Sequence, residues 1–386
     1  MLFRSAIKDA KVLTMEAKNY DKGTVIIEDG KIKEIGENLE IPAEAEVYEA
    51  NGKVVMPGMI DAHTHVGISE EGIGWEGADY NEISDPITPH LRAIDAINPH
   101  EEGMKDARTH GITSLMTGPG SANVIGGENL VLKTTGNTVD EMIVKNPAGM
   151  KAAFGENPKR VYNDQNKSPR TRMAVAAEMR ETFMKAEDYL KEKAHAKEED
   201  KPFKRDIKLE SISRILKKEL PLKAHAHRAD DIMTIIRIAK EFDIDVTLEH
   251  CTEGHKVVDE IVDAGFPAIV GPSLTTRSKV ELMDRTYETP GILAEAGVKV
   301  ALMSDHPVVP IHYLPVYAAL AVRSGMDREE ALKAITINPA EILGVDDRVG
   351  SIKEGKDADL VVFDGDPFDF DSKVEKVFIN GEKIEE

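Results

Sequence analysis

Pro57-Gly58-Met59-Ile60-Asp61-Ala62-His63-Thr64-His65 reads as a buried strand ending in two histidines that flank one residue. Side chains alternate faces along a strand, so His63 and His65 point the same way. From a strand end they can hold one side of a metal ion, each through a neutral imidazole nitrogen. The weight of this pair depends on what later strands bring to the same place.

Outward from that stretch, strands alternate with helices. Candidate strands lie at Val54–Ala62, Ile112–Thr117, Asn129–Thr134, Met150–Phe154, Leu222–His225, Asp245–His250, Ala268–Gly271 and Lys299–Ser304. Amphipathic helices are expected over Asp230–Glu241 (Ile232, Ile235, Ile236, Ala239 on one stripe) and Gly254–Ala264 (Val257, Val258, Ile261, Val262). This alternation is the pattern of an α/β fold with a parallel sheet, and the strand count fits a (β/α)8 TIM barrel. Both termini read as short strands with tight turns. Asp29-Gly30 between Thr24–Glu28 and Lys31–Gly36 is a hairpin signal, and Asp359–Phe363 and Val374–Ile379 answer it from the far end. Neither end has enough strands to bury a face alone, so a small β-sandwich domain built from both is expected. The expected division is 1–56 with 349–386 for that domain and 57–348 for the barrel. One connection, about 155–221, is unusually long. It carries Ala176, Met179, Phe183, Ala186 and Leu190 at helical spacing, then Leu209, Ile212 and Leu216. It is either a solvated excursion or a helical hairpin that shields the site or builds a subunit interface.

The chain has 386 residues with 49 Lys+Arg against 70 Asp+Glu, a net charge of −21. So acidic a surface repels phosphate backbones and anionic lipid, which argues against nucleic acid or a membrane as partner. A small-molecule substrate is expected instead, and a homo-oligomer. Cys251 is the only cysteine, so no internal disulfide forms, in keeping with a reducing, cytoplasmic setting. MLFRSAIKDAKVLTM lacks the apolar run of a signal peptide, and no run of about 18 uncharged apolar residues could span a membrane.

In a barrel of this type the active site lies at the C-terminal ends of the strands. The first strand ends in His63 and His65, the fourth offers Lys151, the fifth His225, the sixth His250 and the eighth Asp305. Four imidazoles and a carboxylate suit Zn2+ or another divalent ion. His227 and His306 stand beside this set and suit substrate orientation or oxyanion stabilisation. Cys251 reads as a small buried residue, since no neighbour would activate its thiol.

Here the chain resembles the amidohydrolase superfamily over nearly its whole length: PGMIDAHTH, the later single histidines, SDHP, and the tail GSIKEGKDADLVVFDGDP. It looks closest to the imidazolonepropionase-like and prolidase-like branches. The resemblance implies His63, His65, His225 and His250 as metal ligands and Asp305 as ligand and proton shuttle. It also implies that Lys151, carboxylated by CO2, bridges two metals, so one or two ions are expected. Glu156, just beyond the same strand, is an alternative carboxylate. The implied reaction is metal-dependent hydrolysis of a non-peptide C–N bond, an amide or cyclic amide. A prolidase-like dipeptidase or N-acyl amino acid hydrolase with a binuclear site is the alternative.

Mononuclear deaminases of the superfamily carry a Glu three residues after the fifth-strand histidine; this chain has Arg228 there, which argues against deamination. Arg228 could instead pair with a substrate carboxylate. The Gly67–Pro89 loop and Arg277, after the seventh strand, are further candidates for the rim. Thr117–Gly127 is glycine-rich, but no Gly-Lys-Ser/Thr follows, so it is not a phosphate-binding loop.

Overall fold

The computed structural model describes residues 4–385. Residues 1–3 and 386, the outermost positions of the expected terminal unit and the start of the stretch read as no signal peptide, lie outside the described residues. The chain opens with β1 (Arg4–Val12), β2 (Tyr20–Glu28), β3 (Lys31–Gly36), β4 (Glu46–Glu49) and β5 (Val54–Pro57). Asp29 and Gly30 both take positive φ, 49° and 76°, as the expected hairpin turn between β2 and β3 demands.

The barrel follows: β6 (Met59–Thr64), β7 (Ile112–Thr117), β8 (Ile125–Lys133), β9 (Ile143–Ala153), β10 (Leu222–Ala226), β11 (Val246–His250), β12 (Ala268–Val270) and β13 (Val300–Leu302). These eight strands pair in chain order. The two edge strands meet just past their ends, where His63 O accepts from Asp305 N (3.2 Å) and His306 O from His65 N (2.9 Å). The result is a nearly closed barrel, filled at one level by Ala62, Ile269, Ala301 and Met303 and walled by helices that bury residues such as Ile232, Ile235 and Leu314.

One strand departs from the all-parallel expectation. β8 runs antiparallel to both β7 and β9. Residues 118–124 are too few for a crossover helix, so the chain can only double back. A single helical turn, Val139–Met142, then returns it to β9.

The strand expected over 54–62 divides at Gly58. β5 stays with the terminal sheet and β6 enters the barrel. A Cβ at Gly58 would stand 2.0 Å from Thr113 Oγ1, so no larger residue fits this crossing point. β14 (Leu360–Phe363), β15 (Val374–Ile379) and β16 (Glu382–Lys383) complete the terminal sheet, with β14 pairing antiparallel to β5. Both termini therefore share one eight-stranded sheet. It curls until Ile32 N meets Lys356 O (2.9 Å) and Ala358 N meets Gly30 O (2.8 Å), enclosing Ile7, Val25, Ile27, Val55, Leu360 and Val362.

The long connection contains three helices, Glu156–Asp164, Arg172–Glu198 and Ile207–Leu216. The last two form a hairpin. Thr171 caps the first through Ala174 N and Asp206 caps the second through Lys208 N and Leu209 N. Tyr189 Oη donates to Glu210 across the arms (2.7 Å). The hairpin is anchored, not free: Phe183 packs on Phe242 of the helix Ala229–Phe242, and Arg172 binds Asp231 at 2.9 Å. Among the described residues no helix is long and apolar enough to cross a membrane.

A buried charge cluster joins the terminal sheet to the barrel. Asp357 receives Lys31 (2.5 Å), Lys133 at the end of β8 (3.1 Å) and Arg348 (2.9 Å), and Lys133 also contacts Asp359. Burial pushes the Asp357 carboxyl upward, but these cations outweigh it and hold the group below its usual range. Removing one partner of a buried pair leaves the other uncompensated, so Asp357→Asn is expected to cost about 3 kcal/mol in denaturant unfolding. A depressed folded-state value means the contribution is complete above about pH 4 and disappears as the pH falls through that value. The gap between wild type and variant should therefore close below about pH 4.

Candidate metal centre

The strand-end side chains converge. His63 Nε2 and His65 Nε2 lie 3.5 and 3.4 Å from the same oxygen, Oδ1 of Asp305. The His63 ring stands 5.2 Å from that of His250, which stands 4.2 Å from His225 and 4.6 Å from His227. Two triads with ligand atoms within 4.8 Å of one another result: His63, His250, Asp305 and His225, His227, His250. All these groups are buried.

Backbone geometry makes the convergence possible. Alternation along β11 would send neighbours Glu249 and His250 to opposite faces. His250 and Cys251 instead take left-handed φ, 68° and 49°, and Asp305 takes 54°. Such values are uncommon outside glycine and cost of order 1–3 kcal/mol each. Here they let Glu249 and His250 both reach His63.

Three imidazoles have one nitrogen fixed from behind. His65 Nδ1 donates to Gly118 O (2.7 Å), His250 Nδ1 to Gly271 O (2.9 Å) and His63 Nδ1 to Glu249 Oε2 (2.7 Å). A proton on Nδ1 leaves the Nε2 lone pair facing the centre, the arrangement of histidine ligands backed by acceptors. Burial drives the basicity of His63, His225 and His250 well down, so these rings are neutral. Lys151 Nζ sits 3.0 Å from His63 Nε2. The inward lone pair already faces a cation there, so the donor set suits a positively charged occupant. His225 is less fixed: its Nδ1 is buried without a partner among the described residues, and its Nε2 lies 3.4 Å from Asn157 Nδ2.

Lys151 is neither exposed nor paired at the surface. Burial lowers its pKa to about 8, against opposition from Glu249 and Asp305. Burial would raise Asp305, but His65, His63 and Lys151 outweigh it and keep the carboxyl below its usual range. Burial, with Lys279 and Lys151 nearby, lowers His227 to about 3. Cys251 is buried and pushed up to about 12, in line with an inert thiol.

The other candidates make local contacts of their own. Arg228 grips Asp230 through two bonds, 2.9 and 3.0 Å, at the start of its own helix. Arg277 Nε donates to Met283 O within an exposed loop. His306 is buried with Nε2 3.5 Å from Glu71, its Nδ1 accepting from Ile311 N (3.3 Å). Glu156 heads the helix Glu156–Asp164, where its backbone N–H donates to Glu281 (3.1 Å).

The amidohydrolase family profile matches residues 54–384. The chain belongs to the amidohydrolase family. As a member it is a hydrolase of carbon–nitrogen bonds. The amidohydrolase tasK of Hapsidospora irregularis is 29% identical over 93% of this chain, which spans 39% of that longer protein. An imidazolonepropionase of Thermoplasma volcanium is 25% identical over 94% of this chain and 91% of its own length. A solved amidohydrolase from Thermotoga maritima MSB8 superposes with a TM-score of 0.95 at 46% identity, covering 98% of this chain and 99% of that one.

Several groups around the centre of this amidohydrolase were not singled out from sequence. Glu249 backs His63, with Lys223 Nζ 3.9 Å from its other oxygen. Asp61 accepts from the Ser304 hydroxyl (2.5 Å) and amide (3.1 Å), tying β6 to the residue before Asp305. Burial raises Asp61 and Glu249 to about 7 each. Asn157 reaches the site from a connecting segment, whereas Tyr80, stacked on His65 with centroids 5.5 Å apart, belongs to the Gly67–Pro89 loop already read as a rim candidate. A signal existed for the strand residues. Asp61, Lys223 and Glu249 are charges inside otherwise apolar strands, where an ionised group survives only with a partner.

Glu249→Gln removes the carboxylate behind His63 while preserving size. It is expected to weaken divalent-ion retention by about 10–100-fold, read by competition with a chromogenic chelator.

Proposed function

We propose that this chain is a metal-dependent amidohydrolase cleaving an amide or cyclic amide C–N bond of a small molecule that is not a protein. The observation that carries the reading is the meeting of His63 and His65 on one oxygen of Asp305, with His250 and Lys151 against His63. His63, His65, His225, His250 and Asp305 would hold one divalent ion or two, and zinc suits this nitrogen-rich set. When bound, such an ion supplies Lewis acidity toward a carbonyl oxygen and makes water acidic enough to attack at neutral pH.

The protein's own groups then have separate tasks. Asp305, kept ionised by its neighbours, accepts a proton from the attacking water and passes it to the departing nitrogen. His227 orients the carbonyl. Thr252 Oγ1 lies 2.7 Å from His227 Nδ1, and Glu281 Oε1 lies 3.6 Å from Nε2. We assign the tautomer in which the Thr252 hydroxyl donates to Nδ1 and the ring proton sits on Nε2, available to a substrate oxygen. The curled terminal sheet is assigned as a small sandwich unit, 1–56 with 349–386, beside a barrel of 57–348.

A second reading, a prolidase-like dipeptidase or N-acyl amino acid hydrolase with a binuclear site, draws on Lys151. An amine with its pKa lowered to about 8 can add CO2 and release a proton, giving a carbamate that could bridge two ions.

The test is turnover of cyclic amides, ureides, N-acyl amino acids and proline dipeptides by zinc-loaded protein, alongside Asp305→Asn. Cleavage of at least one substrate is expected, with kcat lower by about 10²–10⁴-fold in the variant. Unimpaired turnover by an Asp305→Asn protein would sink the shuttle role. Failure of the loaded enzyme on every C–N substrate would sink the reading as a whole.

A further inference from the structure

A groove of about 1120 Å³ runs between the terminal sheet and the helix Leu314–Arg323. Its floor is apolar, with Pro315, Val316, Ala319 and Leu320 facing Phe363, Phe368 and Val374. Its rim carries three cations, Lys105, Arg323 and Lys373, against one carboxylate, Asp369, on a chain whose net charge is −21. None of these three cations has an ion-pair partner among the described residues, whereas most lysines and arginines on this chain do.

The lip of the groove is the loop Asp364-Gly365-Asp366-Pro367-Phe368-Asp369-Phe370-Asp371. Arg328 holds its base, ion-paired to Asp366 and stacked 4.8 Å over the Phe368 ring. Beyond that anchor Phe370 stands 94% exposed. Its flanking carboxylates, Asp369 and Asp371, make no ion pair among the described residues. A phenylalanine in water beside an apolar groove is costly, and a fixed base lowers the entropy lost when the ring docks.

The plug and the groove therefore match in chemistry: an acidic loop tipped by an aromatic ring, and a basic rim around an apolar floor. They do not satisfy each other within one chain: Phe370, at the edge of the groove, stays exposed, and Asp369 and Asp371 pair with none of its cations among the described residues. We propose that the occupant is a second copy of this chain, in a twofold dimer where each Phe370 enters the other's groove and Asp369 and Asp371 meet the other's Lys105, Arg323 and Lys373. Plug and groove adjoin on one face, so one rotation satisfies both reciprocally and the contact closes on itself. Aromatic anchors ringed by complementary charge are the pattern of a specific interface. The partner is another acidic molecule, and the local basic rim is what offsets their mutual repulsion.

Sedimentation equilibrium of the full chain at low ionic strength decides the matter. Wild type is expected at twice the chain mass, or a multiple of it, and Phe370→Asp at half the wild-type value. Phe370→Leu should keep the wild-type mass. Phe370 is exposed in the single chain, so each variant should keep the wild-type fold, read by circular dichroism. Arg323→Glu with Lys373→Glu should also dissociate the assembly, and adding Asp369→Lys with Asp371→Lys should restore it. A wild type that sediments as a single chain, or a Phe370→Asp protein of unchanged mass, would overturn the proposal.

Discussion

The hydrogen bond from His63 Nδ1 to Glu249 Oε2 ties the first strand of the barrel to the sixth through its interior. A carboxylate this deep is expensive, since ionised groups lose several kcal/mol of hydration on burial. Lys223 and Lys151 offset that cost from the neighbouring strands. In return the carboxylate fixes which nitrogen of His63 carries the proton, and so which one faces Asp305, Lys151 and any cation. Loosening this contact would free the His63 ring, while His65 and His250 keep their own backbone acceptors.

The same centre depends on backbone that strands do not ordinarily adopt. His250, Cys251 and Asp305 hold left-handed φ where the chain turns out of the barrel. Such conformations persist only where packing over-determines them, and here Asp61 supplies part of that determination by gripping Ser304 just before Asp305. The strain is spent on aim: side chains from β6, β11 and the end of β13 point into one small volume.

The antiparallel β8 has a similar logic. The parallel pairing of β6 with β7 sets Gly118 O beside His65, and the reversal that follows places the loop 118–124 next to Tyr80 and Asn81 at the same end of the barrel. The helical connection after β9 adds Asn157 at His225. Thus the segments that least resemble a regular barrel carry contacts to the candidate metal centre.

Strand order, the shared terminal sheet and the seven groups His63, His65, Lys151, His225, His227, His250 and Asp305 were legible because they rest on local rules: apolar runs bounded by turns, and polar residues at strand ends. Glu249, Asp61 and Lys223 were harder to read, since a charge inside an apolar strand is explained only by a partner far along the chain. Arg228, read as a candidate partner for a substrate carboxylate, is paired with Asp230 two residues on, a contact that the sequence alone did not single out. The direction of β8 followed from the brevity of 118–124, a length visible in sequence whose consequence emerges only once its neighbours are fixed. Sequence alone determined which side chains could bind a cation, because ligand chemistry belongs to residue type and strand position. Tertiary structure decided which nitrogen of each ring faces inward and which charges are neutralised, because both depend on acceptors and cations that only folding brings within reach.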